Sequence, residues 1–139
     1  MSRERYLLDK SALARWPKPA VAPVLDELSD RGLLAVCAVV EIEVVHNART
    51  ANEAKRIRRL LHGFDWLTMP DEIWDRAIDV QIQALHKGNH RALSMADLLI
   101  AATAERHGAT VLHYDGDFDM IAAITGQPAA WVVPAGTAD

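Results

Sequence analysis

A chain of 139 residues has the length of one compact domain, and at that size it buries roughly two-thirds of its unfolded surface, enough to fold without disulfides or a structural metal. Half of its residues are apolar and 24% are charged, which excludes a disordered chain, and its single cysteine, Cys37, cannot close an internal bridge. Fifteen basic against nineteen acidic residues leave a net charge of −4, which excludes a protein that holds nucleic acid through bulk positive charge alone.

In chain order, residues 6–8 (Tyr-Leu-Leu) form a short apolar strand ending at Asp9. Residues 20–30 read as a helix, with Val21, Val24, Leu25 and Leu28 at helical spacing and Gly32 as the stop. A second strand at 33–36 leads into a helix through residue 47, and 52–62 is the second helix of an αα pair, apolar at Ile57, Leu60 and Leu61. The apolar run 33–40 is far shorter than a bilayer span. The opening Met-Ser-Arg-Glu-Arg carries no signal-type apolar core, so a cytoplasmic chain forming one domain over 1–139, away from membranes, is expected. Residues 66–68 suggest a third strand. Pro70 then opens a helix to about 87, with Asp71 and Glu72 matched to its dipole and Gly88-Asn89 stopping it. A helix over 94–108, a strand over 110–114, a short helix over 118–124 and a last strand over 131–133 complete the chain. Strands separated by helices imply crossovers, hence an α/β fold of three layers with a central parallel sheet of about five short strands. Trp16, Trp66, Trp74 and Trp131 are expected in the core.

In an open α/β sheet, ligands bind beyond the carboxyl ends of the strands, where strand order reverses. Asp9 follows the first strand there, and Asp115 and Asp117 follow the fourth across Gly116, while Glu43 and Asp97 lie early in helices leaving the same edge. Several carboxylates converging without a cation repel one another, and a hard divalent ion with oxygen ligands, magnesium or manganese, removes the conflict. Each acid also has a purely structural use. Asp9 or Ser11 can cap the following helix, Asp97 stands three residues after Ser94 as in a capping box, and Asp115-Gly116-Asp117 can be a strand-to-helix turn. Capping and metal binding are compatible, because a helix N-terminus favours the ionised carboxylate. Glu41 and Glu43 point about 200° apart on a helix, so only one can face the site, and periodicity leaves the choice open.

Other constellations are weaker. His86 and His90 are four apart but separated by the helix stop, Glu43 and His46 form half of a di-iron pattern without the other half, and His113 reads as a packed histidine or a neighbour of the acids. No phosphate-binding glycine loop or nucleophile elbow occurs. One basic segment stands out against the acidic whole: Arg49, Lys55, Arg56, Arg58 and Arg59. With Lys87 and Arg91 it is either a phosphate-contacting surface or a solvated helix face.

The ordered acids resemble those of the PIN-domain nucleases, most closely the VapC-type toxins of bacterial toxin–antitoxin pairs. The matching stretches are Tyr6-Leu-Leu-Asp9-Lys-Ser11-Ala-Leu, Cys37-Ala-Val-Val-Glu-Ile-Glu43-Val-Val, Ala96-Asp97-Leu-Leu-Ile-Ala-Ala-Thr-Ala104 and Thr110-Val-Leu-His-Tyr-Asp115-Gly-Asp117-Phe-Asp-Met-Ile-Ala122. The resemblance implies a central parallel sheet and an endoribonuclease dependent on Mg2+ or Mn2+. Asp9, Glu43, Asp97 and Asp115 would be the acidic site, Asp117 a further ligand, and Ser11 a hydroxyl beside the metal-bound water. It favours Glu43 over Glu41, and it implies products with a 5′-phosphate and a 3′-hydroxyl. It also implies an RNA substrate, a VapB-type antitoxin whose C-terminal segment lies over the site, and a homodimer. Two rival classes remain: a non-catalytic PIN-like binding module, and a magnesium-dependent phosphoacceptor domain. The second expects an acidic pair after the first strand and a late lysine, and this chain has neither.

Overall fold

Residues 4–89 and 93–139 are described by a computed structural model. Successive strands are separated by at least one helix, so no two join by a tight hairpin, and the helices supply the long connections that parallel pairing needs. The order is β1 (Tyr6–Leu8), α1 (Lys10–Ala14), α2 (Ala22–Asp30), β2 (Leu34–Val36), α3 (Ala38–Val45), α4 (Ala51–Leu61), β3 (Asp65–Trp66), α5 (Asp71–His86), α6 (Met95–His107), β4 (Thr110–His113), α7 (Asp117–Thr125) and β5 (Ala129–Trp131). The five strands form one sheet in the order β3-β2-β1-β4-β5, and all four pairings are parallel. From β1 the chain first builds outward through β2 and β3, then crosses to β4 on the other side. The point of reversal therefore lies between β1 and β4, and Asp9 and Asp115 follow those two strands.

Leu7 sits at the middle of this frame, opposite Ala35 on one side and Val111 on the other, and is fully buried with Leu8. The most buried helix is α6. Every residue from Leu98 to Ala104 is buried, and the helix packs against α3, α5, α7 and β4. Ser94 caps its start by accepting the Asp97 N–H, and Gly108, at φ 65°, closes it in the left-handed conformation that glycine adopts without strain. Arg76 of α5 pairs with Glu105 of α6 at 2.7 Å, fixing the two helices side by side.

Several expectations shift. The third strand is Asp65–Trp66 and the last is Ala129–Trp131, both earlier in the chain than their hydropathy suggests. Edge strands this short have no period to read, and their limits come from the partners, Ala35 and Val36 for β3 and Val111 to His113 for β5. Pro70 is the residue before α5 rather than its first. Trp16 and Trp131 pack against the core, but Trp66 and Trp74 are 42% and 49% exposed and are surface residues. His90 and Arg91 lie outside the described residues. Among the described residues, no helix is long and apolar enough to cross a membrane.

Leu7 touches the sheet's centre on both sides, so Leu7→Ala leaves a cavity the fold cannot close. We expect a loss of about 2–5 kcal/mol in urea unfolding; a loss under about 1 kcal/mol would contradict this placement.

Candidate active site

Three helices begin where the acids lie. Asp9 follows β1 and caps α1: its Oδ1 accepts the Ala12 N–H at 3.1 Å, and the Ser11 hydroxyl donates to its two oxygens at 2.7 and 2.8 Å. The same hydroxyl accepts the Tyr114 N–H at 2.8 Å, so one side chain ties the end of β1 to the end of β4. Next in the chain, the Asp115 N–H donates to Nδ1 of His113 at 3.1 Å, and Oδ1 of Asp115 accepts the Asp117 N–H at 3.0 Å. Asp117 is the first residue of α7, following Gly116 at the cap. Asp97 enters from the first turn of α6.

Asp97, Asp115 and Asp117 each offer a carboxylate oxygen within 4.8 Å of the others. Asp9 and Glu43 line the same cleft, of about 400 Å³, with Lys10, Ser11 and Arg15. The Glu41–Glu43 alternative is thereby resolved in space. Glu43 faces the acids, whereas Glu41 accepts from Nε of Arg58 at 3.1 Å and meets Nε2 of His62 at 2.7 Å, joining α3 to α4. All five acids singled out in the sequence are brought together, with Ser11 among them. Lys10 and Arg15 were not singled out. Their signal was position alone, Lys10 between Asp9 and Ser11, and Arg15 one helical turn beyond Ser11. Arg15 is held firmly: Nε donates to the Ala138 carbonyl and Nη1 to the Ser11 carbonyl, both at 3.0 Å, and the guanidinium lies 4.4 Å from the Tyr114 ring centre.

The electrostatics follow from crowding in a dry place. Burial pushes Asp97 up to about 7, with Asp115, Asp117 and Asp9 adding repulsion. Burial likewise raises Asp9 to about 6, against the opposing pull of the hydrogen bonds from Ser11 and Ala12. Glu43 and Asp117 are raised too, first by burial and then by Asp115, while Lys10 draws Glu43 back down. An oxygen-only cluster that holds protons this tightly lacks positive charge, and it fits a hard divalent ion.

The PIN-domain pattern matches residues 6–124. The chain belongs to the PIN-domain family. It is 45% identical over 135 residues to ribonuclease VapC21 of Mycobacterium tuberculosis, covering 96% of this chain and 98% of that one. It is 42% identical over 135 residues to ribonuclease VapC51 of the same species, covering 97% and 98%. In three dimensions this PIN domain is similar to a chain of the DNA-bound VapBC structure from Salmonella typhimurium, with a TM-score of 0.74, 14% identity, and coverage of 94% and 100%. At that identity the last likeness shows the fold alone.

Raised carboxyl pKa values fix the sign of the pH dependence. In the ion-free PIN domain, Asp9 and Asp97 bind their protons more tightly folded than unfolded. The stability this contributes is complete below about pH 4 and is lost as pH rises through about 6 and 7. With EDTA at pH 8, Asp97→Asn removes an uncompensated charge and should raise Tm by roughly 3–7 °C, about 1–2 kcal/mol. In differential scanning, an unchanged or lowered Tm would count against the crowding described here.

Proposed function

We propose that this chain is a ribonuclease dependent on Mg2+ or Mn2+, and the toxin of a toxin–antitoxin pair, with residues 1–139 acting as one domain in the cytoplasm. The observation that carries the reading is the gathering of Asp9, Glu43, Asp97, Asp115 and Asp117 at the sheet's reversal point. The relatives' names as ribonucleases support it. Asp9, Asp97, Asp115 and Asp117, with Glu43, would hold the ion directly or through water. A divalent ion bound among phosphodiester-facing carboxylates supplies acidified water and offsets the charge that builds on the phosphate. The chain's own residues do the rest. Ser11 orients Asp9 and couples it to the backbone beside Asp115. Lys10 and the braced Arg15 offer cations at the rim for the flanking phosphates.

RNA has to be held away from the acids as well. Lys55, Arg58, Arg59 and His62 line a surface depression of about 690 Å³ on α4, and with Arg49 and Arg56 they form the phosphate-contacting surface of this reading. Arg58 also serves the fold through Glu41. For the antitoxin, an apolar groove of about 470 Å³ between α1, α3 and α4 includes Leu13, Trp16, Val44, Ile57, Leu60 and Phe64. It shares Lys10 and Ala14 with the acidic cleft, so a VapB-type segment lying there would reach the acids. The solved VapBC assemblies support such a partner.

A homodimer completes the reading. Opposite the buried side of α5, Trp74, Ile78, Ile82 and Leu85 form an exposed stripe at helical spacing, extended by Met95. The first turns of α5 carry Asp71, Glu72 and Asp75, and its end carries His86 and Lys87. Two copies related by a two-fold axis would set Trp74 against Leu85, and acidic ends against basic ones. Ile78→Lys should therefore turn a dimer into a monomer in analytical ultracentrifugation; a monomeric wild-type chain at tens of micromolar would reject the arrangement.

The central test is cleavage of RNA with Mg2+ or Mn2+ against EDTA, beside Asp97→Asn. Activity should need the ion and fall at least ~100-fold in the variant. Equal cleavage in all arms would mean a contaminating nuclease, and none in any arm would favour a binding module.

A further inference from the structure

His113 ends β4 with its ring completely buried, 5.1 Å from the Phe118 ring and 5.2 Å from the Trp131 ring. Its Nδ1 accepts the Asp115 N–H, so this nitrogen is unprotonated and the imidazole carries its proton on Nε2. That Nε2 has no hydrogen-bond partner among the described residues. A buried donor without an acceptor costs more than the hydrogen bond it forgoes, and an apolar side chain of similar size would fill the same space without that cost. What the imidazole provides and an apolar group cannot is the acceptor at Nδ1.

The acceptor sits where the sheet stops supplying one. The pairing of β4 with β5 ends at His113 and Trp131, and the next two amides, Tyr114 and Asp115, are tied instead by side chains, Ser11 and His113. The second of these fixes the amide side of Asp115, whose carbonyl accepts the Phe118 N–H at 3.2 Å and whose carboxylate accepts the Asp117 N–H. We infer that His113 is a positioning residue of the acidic site: its Nδ1, by taking the Asp115 amide, aims the Asp115 carboxylate at Asp97 and Asp117. This rests on the metal-site reading above. His113 does not touch the ion or the substrate in this role; it acts through Asp115.

Asn and Leu have nearly the same shape, and only Asn can place an acceptor oxygen near the position of Nδ1. The test compares wild type, His113→Asn and His113→Leu, each first checked by circular dichroism, with His113→Ala replacing the Leu variant should that chain not fold. Nitrogen NMR of the wild-type chain, ion-free, should show an Nε2-protonated imidazole with a through-hydrogen-bond coupling to the Asp115 amide. Titration calorimetry with Mn2+ alone should show affinity about tenfold or more weaker for the variant lacking an acceptor, as for other groups that orient metal ligands, and near wild type for His113→Asn. Equal affinity in all chains, equal weakening in both variants, or no coupling to the Asp115 amide overturns the role of His113. No saturable Mn2+ binding by the wild-type chain overturns the metal-site reading itself, and the role of His113 with it.

Discussion

Mutual repulsion among half-dry carboxylates is the constraint around which this PIN domain is arranged. Burial, and then the repulsion of three nearby acids, pushes Asp97 up to about 7, a cost the fold carries whenever no cation is present. Three features limit it. Asp9, Asp97 and Asp117 all lie at or in the first turn of a helix, where the dipole favours negative charge. The Ser11 hydroxyl and the Ala12 and Asp117 amides donate to carboxylate oxygens. Lys10 brings one positive charge to the rim beside Glu43. None of these removes the repulsion, and what remains is an affinity for positive charge.

A site that opposes folding needs a frame that does not yield to it. Asp97 sits at the start of the most buried helix, whose next turns, Leu98 to Ala104, are packed against the rest of the core. Asp9 and Asp115 leave neighbouring central strands held in register at Tyr6–Thr110, Leu7–Val111 and Leu8–Leu112. Asp9 and Asp115 therefore cannot drift apart without shearing β1 from β4. The Ser11 bridge to the Tyr114 amide adds a direct tie at the point where the ladder ends.

The parts of this arrangement that were legible in the sequence are those set by local rules. Asp9, Asp97 and Asp115 could be placed because each follows an apolar run or a capping serine, and the alternation of strands and helices implies the parallel sheet. Periodicity could not separate Glu41 from Glu43, and only the family resemblance favoured Glu43, because the physical distinction depends on Arg58 and His62, partners 17 and 21 residues away. The limits of β3 and β5 were missed for a similar reason, since pairing sets them and hydropathy does not. Helix α1, five residues long, is too short to show a period. Trp66 and Trp74 looked like core by composition, and only the helix and strand geometry turns them outward.

The same charge deficit connects the two activities of the proposed function. The acidic cleft and the apolar groove meet at Lys10 and Ala14, so a chain lying in the groove ends beside the acids. Any cation that enters relieves the repulsion at Asp97, whether it is a divalent ion or the basic side chain of a partner. The two relieve it differently. An ion held there would supply activated water and offset charge on a phosphate, whereas a tethered side chain would fill the space. In the proposed function both would compete for one deficit, and each would have to displace the protons that the raised carboxyl pKa values hold. In the proposed function, replacing the acids to weaken ion binding would therefore weaken partner binding too, since both would draw on the same five side chains.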